Sequence, residues 1–403
     1  MSHNKRMVNT TILLAALGYF VDIYDLILFS IVRVKSLKAL GVPDTELLSQ
    51  GVLLLNMQMG GMLLGGILWG MLGDKRGRLS VLLGSIFLYS IANIANGFVD
   101  SVGAYAVLRL LAGIGLAGEL GAGITLVSEI MSKETRGYGT AIVATVGILG
   151  AIAAALIGDL FDWRAAYFIG GGMGVGLLLL RIKAGESLMF QKARDQKQRG
   201  GLLRIFKSAS NIWKYARCIL IGVPLWFVVG ILITFAPEFG KALGMKEVPS
   251  AGKAVMFAYI GLAVGDLTSG FLSQIWGSRK KIAAAFMALN AVFMLMYLLA
   301  RAPSLNMFYI MCLSLGFASG YWAVFVTIAA EQFGTNVRST VATTVPNFVR
   351  GAVVPLTLSF QSLKGIYGTI NGALIVAVFC VGAAFWALIN MEETHGKDLD
   401  YLE

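Results

Sequence analysis

The sequence predicts an all-α membrane protein of twelve transmembrane helices, built as two related halves. The chain of 403 residues is 57% hydrophobic and 14% charged, against about 25% charge in soluble domains. Twelve apolar runs follow one another, each near the roughly 20 residues needed to cross about 30 Å of hydrocarbon. A third observation concerns the basic turn Gly70-Met71-Leu72-Gly73-Asp74-Lys75-Arg76-Gly77-Arg78. It returns in weaker form about 200 residues later as Gly270, Gln274, Gly277 and Arg279 to Lys281.

Taken in order, span 1 covers about 11–32 and span 2 about 48–72, with Gly41-Val42-Pro43-Asp44 breaking the helix between them. Span 2 carries Gly60, Gly61, Gly65, Gly66 and Gly70, a small-residue face that lets helices approach closely in lipid. Span 3 covers about 79–98. Span 4 starts near Val102 and stays apolar to about Met131, and spans 5 and 6 cover about 140–160 and 164–181. The polar stretch 183–214, rich in Lys, Arg and Gln, divides residues 1–182 from 215–403. It suits a cytoplasmic linker holding a short amphipathic helix on the membrane surface. Spans 7 to 12 then occupy about 215–239, 252–276, 282–300, 305–330, 340–363 and 369–391. The ends of spans 4 and 10 repeat too: Ser128-Glu129 before Arg136-Gly137, against Ala330-Glu331 before Arg338-Ser339. Two matches near one offset indicate a parallel repeat.

The net charge is +11, yet the basic residues sit in turns and form no compact domain for nucleic acid. With the N-terminus cytoplasmic, inner loops hold 22 of the 33 Lys and Arg, outer loops and helix ends hold nine, and Arg109 and Arg350 lie mid-helix. This bias fits the positive-inside rule with both termini cytoplasmic, in a multi-pass protein of a prokaryote-like inner membrane. Cys218, Cys312 and Cys380 lie in separate apolar runs at no metal spacing, so buried thiols are expected, with neither disulfide nor metal site. Lys5-Arg6 before an apolar run has the outline of a signal peptide. That run continues to about Val32 with two carboxylates inside it, so a retained first helix is expected. Asn9-Thr10-Thr11 spells a sequon, but on the inner face it would not meet the glycosylation machinery.

At these residues the chain resembles the major facilitator superfamily. The loop after span 2 is similar to that family's pattern at Gly70, Asp74, Lys75, Gly77 and Arg78, and Arg109, Gly113 and Gly115 to its pattern in span 4. Glu129 with Arg136-Gly137, and Glu331 with Arg338, resemble its cytoplasmic charge clusters; Gln274 departs from it where an acid is common. The resemblance implies two six-helix bundles rocking about a central site, hence a secondary transporter that needs no cofactor. No Gly-x-x-x-x-Gly-Lys-Ser/Thr loop occurs, which speaks against ATP-driven transport. His3 and His395 are the only histidines and lie in the tails, so no enzyme site is expected.

Charges deep in a bilayer are costly and mark function by default. At about 1.5 Å per residue, Asp22 and Asp25 sit roughly 17 to 21 Å into the membrane, and Arg109 lies roughly 10 Å below the outer surface, near the same level. Asp22 and Asp25 are three apart and share a helix face. Their mutual repulsion and a nearby Arg109 pull in opposite directions, which defines a proton switch that releases Arg109 to substrate. The alternative is a permanent buried ion pair or a backbone cap. Arg350 adds a second deep cation, so the expected cargo is a small anion held by bidentate hydrogen bonds. Gln58, Trp226, Tyr321, Trp322, Phe325 and Asn347 could line the pocket, or serve as core and interfacial anchors.

Glu119 and Asp266 lie nearer the cytoplasmic third, Glu119 as a second titrating site or a local pair. Arg33 and Lys35, at the outer end of span 1, are expected to snorkel. Gly70, Asp74, Arg78, Glu129, Arg136, Glu331 and Arg338 fall at inner helix ends, where pairs between bundles could gate access or basic residues could set topology. The resulting expectation is a monomer that couples protons to import of a small organic anion; an efflux antiporter of drugs or metabolites is the alternative.

Overall fold

The computed structural model describes residues 2–76, 78–119, 136–193, 208–334 and 337–395. Regular structure among them is helical throughout. Eight apolar segments are long enough to cross a membrane, and the shorter helices Ser80–Asn96, Val102–Leu116 and Val146–Leu160 lie between them. One of the eight, Thr340–Ile389, has 50 residues and leaves helical geometry at Gly368, with φ 81° and ψ 170°. It holds spans 11 and 12, which completes twelve.

Local sequence sets the helix ends. Ser101, Ser250, Ser278 and Ser304 open spans 4, 8, 9 and 10, each hydroxyl accepting the N–H three residues on, as helix N-termini require. Lys38-Ala39-Leu40-Gly41 closes span 1, and the same letters at Lys241-Ala242-Leu243-Gly244 close span 7. Both glycines are left-handed, at φ 80° and 77°. Val42 N reaches back to Leu37 O at 3.0 Å, and Met245 N to Gly240 O at 3.1 Å, the same C-terminal cap twice.

The repeat extends to packing. Cβ atoms at Gly61 and Gly65 would strike the backbone of span 4 at Leu110 and Ile114; at Gly261 and Gly265 they would strike span 10 at Leu313 and Phe317. Gly113 returns the contact against Gln58 O, and Gly316 against Ala258 O. Spans 2 and 4 therefore form the same close pair as spans 8 and 10. The other side of span 2 meets the second half, with Gly66 against Asn347 and Gly70 against Thr344. Spans 1 and 5 pack on span 8 across the same division.

Several helices depart from expectation. The first helix runs Ser2–Ala39, because nothing between residues 32 and 39 breaks it. The helix of span 4 stops at Leu116, and residues 120–135 lie outside the described set. Span 7 is Ala209–Phe227, with Pro224 inside it, then a π-helix at Val228–Ile233 and a final Ala236–Ala242. Span 10 is two helices, Leu305–Ser319 and Trp322–Glu331. At the expected linker, the span 6 helix runs on to Ala193 and the next begins at Ala209.

Candidate functional site

Asp22, Asp25, Gln58, Arg109, Asn347 and Arg350 are all buried in the middle of their spans. The structure sets the two acids toward different arginines, with no ion-pair contact between acid and arginine among the described residues. Arg109 belongs to the first half: Nη2 donates to Asn93 Oδ1 at 2.6 Å and Nη1 to Gln58 Oε1 at 3.4 Å. Its guanidinium lies 5.0 Å from the Tyr167 ring centroid. Gln58 Nε2 in turn donates to Leu26 O at 3.1 Å. Asp25 faces Arg109 electrostatically, with Asn93 beside both, and Gly170 of span 6 leaves room for its carboxylate.

Asp22 looks elsewhere. Its strongest attractive partner is Arg350 of the second half, although Asp22 and Asp25 lie on one helix. Three residues subtend about 300° around the axis, so neighbouring side chains about 60° apart can meet different partners. The Arg350 guanidinium lies 5.5 Å from Trp226 and 5.8 Å from Trp322, and those rings meet edge to face at 6.3 Å. Phe325 continues the wall 5.2 Å from Trp322. From span 1, Tyr19 reaches Trp322 and the field of Arg350. Among the described residues this guanidinium makes one hydrogen bond, a long one from Nη1 to Asn347 Oδ1 at 3.5 Å. Arg109 is thus held by three groups, while Arg350 faces aromatic walls and one acid across the interface. In this state Gln58, Asn93 and Tyr167 surround the Arg109 guanidinium.

Other expected wall residues have structural ties. Tyr321 donates to Ile221 O at 3.0 Å, joining the break in span 10 to span 7. Asn347 Nδ2 donates to Ala117 O at 2.8 Å, a contact between halves. Glu119 forms a bidentate pair with Arg181, at 2.5 and 3.0 Å, and Arg181 also donates to Leu14 O. Arg181 is itself buried, at 3% exposure.

Toward the face opposite the basic loops, Arg33 corrects the snorkelling expectation. It is fully buried, because the first helix continues six residues beyond it. Nη2 donates to Glu238 Oε2 at 2.7 Å and Thr234 O at 3.4 Å, and Nη1 to Leu47 O at 3.2 Å. The Phe235 centroid lies 4.6 Å away, and Gly51 provides the space. Ser30 with Thr234, at 2.9 Å, and Thr357 with Asn56, at 2.6 Å, add two more links between halves. Lys35 remains exposed, its ammonium donating to Gly158 O at 2.7 Å.

At the basic face, Glu331 pairs with Arg279 at 2.8 Å within the second half, supplying an acid where Gln274 has none. Gly70 packs on Thr344 at 3.4 Å. Glu129 lies outside the described residues, as do the side chains of Asp74, Arg78, Arg136 and Arg338. The three cysteines are buried and free.

Comparison with known proteins agrees with this architecture. The model of the Major Facilitator Superfamily matches residues 15–354. The chain belongs to this superfamily. Among curated members, the niacin transporter of Acinetobacter baylyi is 24% identical over 380 residues, covering 84% of each chain. The 3-(3-hydroxy-phenyl)propionate transporter of Escherichia coli is 26% identical over 371 residues, 85% of this chain and 87% of that one. The crystal structure of a D-xylose-proton symporter superposes with a TM-score of 0.73 at 16% identity, over 97% of this chain and all of that one. The protein is a multi-pass membrane transporter of the superfamily and not an enzyme.

Proposed function

We propose that this transporter couples one proton to the import of a small organic carboxylate, with Arg350 as its anion site and Asp22 as its proton site. The supporting observation is the coupling of Asp22 to Arg350 across the two halves, beside Trp226 and Trp322. A buried cation left without an anion costs about 3 to 5 kcal/mol. Two states avoid that cost. In the empty carrier, ionised Asp22 balances Arg350. In the loaded carrier, Asp22 holds a proton and the substrate carboxylate balances Arg350. Proton alone or anion alone leaves a net charge in a low-dielectric centre, so both ligands must travel together. The relatives named for niacin and 3-(3-hydroxy-phenyl)propionate carry acids that pair a carboxylate with an aromatic ring, in keeping with such walls.

In this scheme Asp25 and Arg109 stay paired within the first half and fix span 1 beside the site. The halves are residues 1–182 and 215–403, the protein acts as a monomer in the inner membrane, and both termini are cytoplasmic. Proteoliposomes under an imposed proton gradient test the coupling, with labelled niacin and 3-(3-hydroxyphenyl)propionate as probes. Asp22→Asn is expected to abolish gradient-driven accumulation while sparing counterflow exchange; unchanged accumulation would sink the assignment. Drug export by the same acids would instead appear as drug resistance in cells carrying the protein, with no carboxylate uptake.

A further inference from the structure

We propose that Asp266 is a positioning residue for the binding wall, holding Trp322 against Arg350 by capping the second helix of span 10. This rests on the reading of Trp322 as wall. Asp22, Asp25, Glu119 and Glu238 each face an arginine. The Asp266 carboxylate instead takes backbone N–H groups. Oδ1 accepts from Ala323 N at 3.1 Å, and the N–H of Trp322 points to the same group. The helix beginning there, Trp322–Glu331, has no cap from its own chain neighbours. An acid from span 8 fills that place and meets the positive end of the helix.

The repeat separates this role from the needs of the fold. Two hundred residues earlier, at the matching point of span 2, stands Gly66, packed on Asn347 at 2.9 Å. Span 4 also leaves its helix, at residues 117–118, with glycine and no acid opposite. The close pairing of spans 2 and 4 and the helix end at Leu116 therefore form in one half without an acid there. Only the second half has one, and only there does the break carry a ring beside Arg350. The break itself is anchored by other groups. Gly320 sits against the Gly265 backbone, Tyr321 donates to Ile221 O, and Asn290 Nδ2 donates to Ser319 Oγ at 3.0 Å. Loss of the Asp266 carboxylate would free the first turn after the break, and with it the Trp322 ring.

The chain has seven tryptophans, so the intact transporter labelled with 5-fluorotryptophan reports the ring directly, with Trp322→Phe assigning its fluorine signal. Asp266→Ala is expected to shift and broaden the Trp322 signal, with a smaller shift at Trp226 and none at the other five. Asp266→Asn keeps an acceptor oxygen and is expected to restore the native signal. An unmoved Trp322 signal in Asp266→Ala, or equal shifts in both variants, would overturn the proposal. Should Asp266→Ala not fold, Asp266→Ser, whose hydroxyl is too short for both amides, carries the same expectation. Labelled niacin uptake supplies the functional arm: KM rises about tenfold in Asp266→Ala, the scale of one displaced aromatic contact, and stays within about twofold in Asp266→Asn. If Trp322→Phe leaves uptake unchanged while the Trp322 signal still follows Asp266, the wall reading falls and the positioning stands.

Discussion

Two buried arginine–carboxylate pairs lie in different relations to the moving parts. Glu119 and Arg181 join spans 4 and 6 within the first half, at 1% and 3% side-chain exposure. Arg33 and Glu238 join span 1 to the end of span 7, between halves, and Glu238 keeps 21% of its surface. The first pair can stay closed throughout a transport cycle in which the halves move as bodies. The second must separate whenever that face opens, and it is built so that separation is affordable: water already reaches the acid, and Arg33 keeps Leu47 O and the Phe235 ring as alternative company. Location relative to the division, more than bond length, decides whether such a pair is a rivet or a latch.

The largest effect is expected at the rivet. Glu119→Gln strands the Arg181 guanidinium and should cost about 3 to 5 kcal/mol, read as a large fall in thermal unfolding temperature in detergent. The double variant Glu119→Gln with Arg181→Met should recover most of it. A single variant as stable as the native protein would erase the distinction. A smaller effect is expected at the latch. Glu238→Gln should leave unfolding nearly unchanged but favour opening of that face by about 1 to 2 kcal/mol, or roughly 5- to 30-fold, read as faster alkylation of a cysteine introduced at Ser30. If Glu238→Gln destabilises as much as Glu119→Gln, the pair is no latch.

The smallest effect is expected at the rim. Glu393 caps span 9, accepting from the Ser278 hydroxyl and from the N–H groups of Arg279 and Lys280. Partial burial pushes its carboxyl up, but these donors and the His395 N–H outweigh it and hold the group at about 2, below its ordinary 4.5. Its contribution is therefore present above about pH 4.5 and lost as pH falls through about 2. Glu393→Gln should cost about 1 kcal/mol at neutral pH, the scale of a helix cap, with the gap to the native protein narrowing in acid. A pH-independent gap would remove the cap assignment.

The twelve spans, the duplication and the family were legible because apolar runs and repeated turns are written in local sequence. The deep charges were legible too, since rise per residue places Asp22, Asp25, Arg109 and Arg350 without tertiary knowledge. Pairing was not. Assigning Asp22 to Arg350 and Asp25 to Arg109 depends on a rotation of about 60° around one helix, finer than a depth estimate resolves. Arg33 was misplaced because its distance from the water depends on where the first helix ends, and Gly41, nine residues beyond Val32, sets that end. Asp266 gave a signal only in hindsight: it is the one acid of span 8, opposite a Gly320-Tyr321 break that apolar composition conceals.

The π-helix at Val228–Ile233 separates two duties of span 7. Trp226 precedes it and stands beside Arg350; Thr234, Phe235 and Glu238 follow it and surround Arg33. A π turn holds one residue more than an α turn, and one residue is about 100° of rotation. Removing a single residue there would leave Trp226 beside Arg350 while swinging Glu238 off Arg33. The two arginine environments thus share one rod but have separate angular settings, and the length of six apolar residues fixes the phase between them.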